Sequence, residues 1–299
     1  MTRVLACGGA VIDFVHDGQG RWQARAGGSA WNVARVLATL GLTTGFIGTL
    51  SRDPFGERLV QEGTRHGLDL RSAPRVDAPT ALSVIHCSHP AQYAFYAENS
   101  ADSQFGGVPE DAWDGAQAAY FGGITLMRDP ARDAFVHLAH EARRRGLLVV
   151  YDPNFRPQLA DAYREVYGHY VAVADLIKVS EDDLRGLLPG LTSDDALDQL
   201  RRLNPGATFL LTLGDRGARL IGPEADLPHP GYPVEVADTV GAGDASIGGL
   251  LYATLRAPPL PPPERLAFAL ACAAAACTRP GAHAPSLPEI DAVQKETPS

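Results

Sequence analysis

"DTVGAGDASIGGLL", residues 238–251, sets two glycines and an alanine between two aspartates and runs at once into an apolar helical pattern. An acid in the first turn of a helix offsets the macrodipole. A glycine-rich turn opening a helix also presents backbone N–H groups without intrahelical partners, a setting that holds anions. Taken alone, the stretch fits a capped helix start as well as an anion site. The choice between them depends on the chain around it.

Upstream, short β-rich runs alternate with amphipathic ones. "RVLACGG" (3–9), "TGFIGTL" (44–50), "AAYFGGI" (118–124), "LLVVYDP" (147–153), "DLIKVS" (175–180) and "ATFLLTLG" (207–214) read as strands. "SAWNVARVLATLG" (29–41) has helical spacing with Gly41 as its stop, and "DPFGERLVQEGTRHG" (53–67) has Pro54 in its first turn. A helix is expected over 130–145, with Arg143 to Arg145 near its end, where cations suit the dipole. Such alternation predicts an α/β fold with a mostly parallel sheet covered on both faces, whose ligands gather at the C-terminal ends of the strands. Two regions break the rhythm. Residues 11–28 and 80–99 alternate in strand fashion without an intervening helix, around turns at "DGQG" and Pro90, and predict two hairpins forming a small lid. No linker divides the chain, so one domain over 1–299 is expected, with lid strands at about 11–26 and 80–98 inserted in it. "RAPPLPPPER" (256–265) reads as a connector between two helices, and the tail after Pro288 as frayed.

Composition narrows the function classes. The 299 residues carry 26 basic and 35 acidic side chains, net charge −9, with no basic stripe, which speaks against nucleic acid or anionic membrane as partners. "LAFALACAAAAC" (266–277) is too short to span a bilayer and reads as a core helix. Cys7, Cys87, Cys272 and Cys277 form no CxxC pair and no secretory leader is visible; reduced thiols in a cytoplasmic protein are the expectation. His137 and His140 share a helix face outside any HExxH pattern and read as solvated surface.

Five constellations carry candidate chemistry. In the first, Gly241, Ala242 and Gly243 can offer backbone N–H groups to a transferring phosphoryl, and Asp244 can take a proton from an attacking hydroxyl. In "GGSAWNVARVLATLG" (27–41), Gly27 and Gly28 permit close backbone approach, and Asn32 is either a local capping partner or a ligand contact. Asp13, read as ending a strand-like run, is a turn acid or a hydroxyl binder. "VVYDPNFRP" (149–157) is an apolar strand ending in Asp152, Asn154 and Arg156. "IKVSEDDL" (177–184) is a strand leading either to a capping box of Ser180 and Asp183 or to a metal-orienting acid. "LLTLGDRGARL" (210–220) turns at Gly214 and Gly217, as a hairpin or against a nucleotide.

The order of these motifs resembles the ribokinase-like (PfkB) carbohydrate kinases over residues 3 to 290: a glycine pair with Asn, D-P-N-x-R-P, K-V-S-x-x-(D/E), T-L-G-x-x-G and D-T-x-G-A-G-D. Within the family the chain is most similar to bacterial fructokinases, through "FYAENSAD" (95–102), "YFGGITLM" (120–127) and "DPNFRPQL" (152–159). The resemblance implies a three-layer α/β/α sandwich with a small β-strand lid, often a dimer contact, and ATP with Mg²⁺ as cosubstrate and metal. It implies phosphorylation of a primary hydroxyl of a free sugar, fructose first, with Asp244 as base and Gly241–Gly243 as anion hole. Asp183 would hold Mg²⁺ through water, and Thr212, Gly214, Gly217 and Ser180 would meet the nucleotide. Asp13, Gly27, Gly28, Asn32 and Arg156 would face the sugar. Asp238 with "TRPGAHA" (278–284) matches a monovalent-cation site, K⁺ in this reading. The chain departs from the pattern at Trp31, expected to narrow or stack against the sugar pocket, at Ala97 in place of a frequent Arg, at Ala160 and at Ser246. Another sugar, 2-keto-3-deoxygluconate or a nucleoside on the same scaffold is the alternative. A non-catalytic relative is expected to lack Asp244 or its glycines, and both are present.

Overall fold

The computed structural model describes residues 3–16, 19–88 and 91–296, with backbone alone at 86–88, 91 and 92. In chain order the strands are β1 (Arg3–Gly8), β2 (Val11–His16), β3 (Trp22–Gly27), β4 (Thr43–Ile47), β5 (Leu50–Ser51), β6 (Arg75–Val76), β7 (Leu82–Ser88), β8 (Ala91–Tyr96), β9 (Ala116–Gly122), β10 (Leu148–Asp152), β11 (Leu176–Ser180), β12 (Thr208–Thr212), β13 (Ala218–Ile221) and β14 (Asp226–His229). The helices are α1 (Ser29–Thr39), α2 (Pro54–Arg65), α3 (Ala131–Arg144), α4 (Ala160–Val173), α5 (Glu181–Leu187), α6 (Ser193–Leu203), α7 (Ala242–Leu255), α8 (Pro262–Cys277) and α9 (Leu287–Glu296).

Eight strands form the main sheet in the order β14-β13-β12-β11-β10-β9-β1-β4. All neighbours run parallel from β4 to β12, and β13 and β14 turn back antiparallel. Period-two alternation assigns each residue to a layer. On β9 and β10, Ala119, Phe121, Val149 and Tyr151 pack under α3 to α6, while Ala118, Tyr120 and Val150 join the layer of α1 and α7. Both faces are therefore apolar, which is why these strands read as continuous hydrophobic runs.

The two expected hairpins exist and merge. Strands β2 and β3 pair antiparallel, as do β7 and β8, and β2 joins β7 in parallel, giving the four-stranded order β3-β2-β7-β8. Residues 17 and 18 of the first turn and Pro90 of the second lie outside the described residues. Phe14 meets Phe55 of α2 edge-on at 5.8 Å, fixing one face of the lid sheet against the body. The other face opens toward the strand ends of the main sheet.

Several expectations change. Residues 287–296 are not frayed but form α9, held by buried Ile290 and Val293 against the α8 layer. The run at 44–50 breaks after Ile47, and at the break Gly48 lies so close to the Gly8 carbonyl that a Cβ would sit 2.3 Å from its oxygen. Asp13 lies within β2 rather than at its end. Trp31 has no exposure at all: its ring stands edge-on to Phe46 at 5.0 Å, inside the core, and cannot line a sugar pocket. Cys7 and Cys272 are buried free thiols. Among the described residues no helix is long and apolar enough to cross a membrane.

Candidate active site

A cavity of about 430 Å³ lies between the lid and the C-terminal ends of the parallel strands. Its floor is the turn that opens α7. Gly241 caps the helix with φ 80°, in the left-handed region, and a Cβ there would meet Ala282 at 2.7 Å. Only glycine satisfies both demands. Residues 241–243 line the cavity, and the Ala242 N–H donates back to the Thr239 carbonyl at 3.2 Å, closing the turn. Ser246 lines the same wall, and its hydroxyl donates to the Gly243 carbonyl at 2.7 Å.

Asp244, in the first turn of α7, is buried and held by two donors from α1. The Ser29 hydroxyl donates to Oδ1 at 2.7 Å and the Asn32 amide to Oδ2 at 2.8 Å. Ser29 in turn shares a 2.7 Å hydrogen bond with the Tyr120 hydroxyl. Burial raises the carboxyl above its ordinary value; the two hydrogen bonds, Lys178 and Arg156 oppose that shift. The result is an oriented carboxylate at the bottom of a cleft, poised to accept a proton.

The lid supplies the opposite wall through alternate residues of its strands: Val11 and Asp13 on β2, Ser83 and Ile85 on β7, Tyr93 and Phe95 on β8. Burial pushes the Asp13 carboxyl up to about 6, with Ser83 and Arg156 opposing and Asp244 adding to the rise. The Arg156 guanidinium lies over the Tyr93 ring at 4.6 Å and donates to the carbonyls of Asn154 and Phe155 at 3.0 and 2.9 Å. Asn154 takes φ 45°, a conformation that Asn tolerates better than most residues. Strand ends β11 and β12 bring Ser180 and Thr212 to the cavity, followed by the turn of Gly214 and Gly217. That turn is both things the sequence allowed: it joins antiparallel β12 and β13 as a hairpin, and it lines the cavity.

Of the residues expected in the site, Asp13, Gly28, Arg156, Ser180, Thr212, Gly214, Gly217 and 241–244 share this one cavity. Four stand behind its walls. Gly27 is small for Asp13's sake, since a Cβ there would lie 1.9 Å from the Asp13 carboxylate. Asn32 reaches Asp244 instead of facing a ligand. Asp183 accepts from the Phe155 N–H and from the Ser180 N–H and hydroxyl, each at 2.8 Å, and closes a capping box on α5. Its carboxylate is taken up by these donors, which favours the capping reading over a hydrated metal. Asp238 accepts from the N–H groups of Val240 and Gly281, tying the glycine turn to the 278–284 segment. Among the described residues no cluster of three or more His, Cys, Asp or Glu forms a metal cage. Sequence reasoning missed Ser29, Tyr120 and Lys178. All three stood inside quoted stretches, but only the fold shows what they face.

The sequence profile of the pfkB family carbohydrate kinases matches residues 1–290. The chain belongs to the pfkB family. A fructokinase of Klebsiella pneumoniae is 33% identical over 311 aligned residues, covering 98% of this chain and 98% of that protein. Aminoimidazole riboside kinase from Salmonella enterica, solved with aminoimidazole riboside and an ATP analog, is 31% identical with a TM-score of 0.87, covering 98% of this chain and 100% of that one. A fructokinase from Vibrio cholerae O395, solved with fructose, ADP and calcium ion, is 26% identical with a TM-score of 0.85, covering 98% and 99%. This pfkB member has the ribokinase-like α/β fold and is an ATP-dependent sugar kinase.

Proposed function

We propose that this pfkB kinase transfers the γ-phosphoryl of ATP to a primary hydroxyl of a free sugar, fructose in the first instance, giving fructose 6-phosphate. The observation that carries the reading is Asp244, gripped by Ser29 and Asn32 at 2.7 and 2.8 Å beside a glycine turn that lines the same cavity. In the step, Asp244 takes the hydroxyl proton and the hydroxyl oxygen bonds to the γ-phosphorus. The bond from that phosphorus to the β–γ bridging oxygen breaks, and ADP leaves with the electron pair. Gly241–Gly243 stabilise charge on the phosphoryl in transit. Asp13, Gly28 and Arg156 meet the sugar, while Gly27 and Asn32 act from behind as spacer and clamp. Ser180, Thr212, Gly214 and Gly217 meet the nucleotide.

Mg²⁺ fits as a partner of the nucleotide phosphates, where hard cations keep several waters and few protein ligands. When bound it neutralises phosphate charge. Asp183 would then act on it only indirectly, by fixing Ser180 and the Phe155 backbone. K⁺ near Asp238 and residues 278–284, and a homodimer through the open lid edges, belong to the same reading.

A riboside is the second reading, favoured by two observations. The Salmonella relative is an aminoimidazole riboside kinase, and Tyr93 and Phe95 present nearly parallel rings 5.8 Å apart on the lid, a surface on which a heterocycle can pack. Trp31 is buried away from the cavity and plays no part in it. ADP release with Mg-ATP and K⁺ across fructose, ribose, glucose, 2-keto-3-deoxygluconate, adenosine, aminoimidazole riboside and no acceptor separates the readings. Fructose-dependent release that falls by roughly 10²–10⁴-fold in Asp244→Asn is the expected result. A mutant with wild-type turnover removes Asp244 as the base, and release with another acceptor alone replaces fructose.

A further inference from the structure

Ser83 lies in the lid, on β7, and is only 1% exposed, yet its hydroxyl has no hydrogen-bond partner among the described residues. A buried hydroxyl in that state is uncommon, because nothing offsets its desolvation. Its surroundings say where the missing partner belongs. Parallel pairing of β2 with β7 sets Ser83 beside Asp13, and antiparallel pairing of β7 with β8 sets it beside Phe95. Neighbours across strands share a face, and all three line the substrate cavity. The rest of that face is apolar or aromatic, with Val11, Ile85 and Tyr93. Asp13 and Ser83 are thus a polar pair in the middle of an oily wall. Ser83 is near enough to favour the Asp13 carboxylate over its acid, but the geometry closes no hydrogen bond between them. A need for space does not account for the serine. Alanine would leave as much room without stranding a hydroxyl, and a β-branched residue would suit the strand better.

Resting on the reading that the acceptor sugar meets Asp13, we propose that Ser83 is a specificity-determining residue, whose hydroxyl donates to a hydroxyl oxygen of the acceptor at the Asp13 wall. An ionised carboxylate can only accept hydrogens, so Asp13 leaves the lone pairs of a sugar oxygen unanswered. Ser83 supplies the donor beside it. One sugar hydroxyl then gives its hydrogen to Asp13 and takes one from Ser83. An acceptor without that hydroxyl leaves both protein groups buried and unpaired, the situation in which a site discriminates most strongly.

The test compares wild type with Ser83→Ala by ADP release on fructose and on its 1-deoxy, 3-deoxy and 4-deoxy forms, all of which keep the 6-hydroxyl. With fructose, kcat/KM is expected to fall by roughly tenfold in the variant. With the one deoxy sugar that lacks the contacted hydroxyl, the two proteins should agree within about twofold, as a double-mutant cycle between protein and substrate requires. Equal losses on all four sugars, or no loss on fructose, overturn the proposal. Should the panel replace fructose, the monodeoxy forms of the selected acceptor take these places under the same criteria. Thermal unfolding gives a readout besides activity. The hydroxyl is unpaired in the free protein, so Ser83→Ala should unfold at the wild-type temperature or above it. A lowered midpoint would mean that Oγ serves the lid itself, and the proposal falls. A wild-type crystal structure with the acceptor and a non-hydrolysable ATP analogue reads the contact directly. Ser83 Oγ within about 3.2 Å of a sugar oxygen supports it, and a separation beyond about 4 Å refutes it. Asp244→Asn is assayed alongside. If it keeps turnover, the base assignment falls on its own account, while the comparison of deoxy sugars still decides Ser83.

Discussion

Replacing Asn32 with leucine tests how Asp244, the proposed base, is held. Leucine keeps the branching of asparagine but removes the 2.8 Å donor to Asp244 Oδ2. The Asn32 carbonyl oxygen has no partner of its own, so its removal strands nothing else. A hydrogen bond to a buried charged group contributes about 1.5–3 kcal/mol, and at 1.36 kcal/mol per unit the Asp244 pKa should rise by about 1–2 units. Burial already raises this carboxyl, so the folded state keeps its proton to higher pH than the unfolded chain, and this group's effect on stability worsens as pH rises through that window. The variant extends the window upward. Its stability deficit should be full, about 1.5–3 kcal/mol, above the variant's own titration and shrink as pH falls through the wild-type value. Two assays read this: kcat against pH at saturating acceptor, whose acid limb should move up by about 1–2 units, and urea denaturation at several pH values. An acid limb that stays in place, with a stability difference independent of pH, would refute the clamp.

Three other outcomes follow from the same geometry. Gly27→Ala forces a methyl to within 1.9 Å of the Asp13 carboxylate; it should destabilise by roughly 1–3 kcal/mol and raise the acceptor KM, measured by denaturation and by initial rates. Trp31→Phe leaves a gap in the core but breaks no hydrogen bond, since the indole N–H has no partner. It should cost roughly 1–3 kcal/mol by denaturation and leave the ranking of acceptors unchanged. With the Asp13 carboxyl near 6, the acceptor KM should fall as pH rises through that value, because the ionised form accepts sugar hydroxyls. Asp13→Asn should lose this dependence, which a KM titration in both proteins checks.

What the sequence made readable was whatever depends on neighbours in the chain. The apolar runs at 147–153 and 207–214, the Pro54 helix start, the two lid hairpins and the motif order that led to Asp244 all fall in that class. What it hid depends on partners far away. Ser29 lies 215 residues from Asp244, and Tyr120 lies 91 from Ser29, so no local pattern announces either hydrogen bond. Trp31 misled for a related reason. It stands three positions after Gly28, near the expected sugar contacts, but helical geometry turns it about 100° per residue away from Ser29's direction, toward Phe46. Gly27 read as an opening for ligand, whereas its missing side chain makes room for Asp13. Asp183 carried two readings that only the count of its filled acceptors separates.

The pairing of α1 with α7 has a consequence for how the protein is made. Val36 of α1 packs so closely on α7 that a methyl at Gly248 would sit 2.8 Å from it. The ribosome delivers α7 and α8 after all the strands of both sheets. Until they emerge, Val33, Val36 and Leu37 lack their C-terminal cover, and the growing chain displays an oily face that invites a chaperone. Over the same interval Asp244 is still unborn, so on the proposed mechanism an unfinished chain lacks its base. Burial of the last helices and arming of the enzyme are one event.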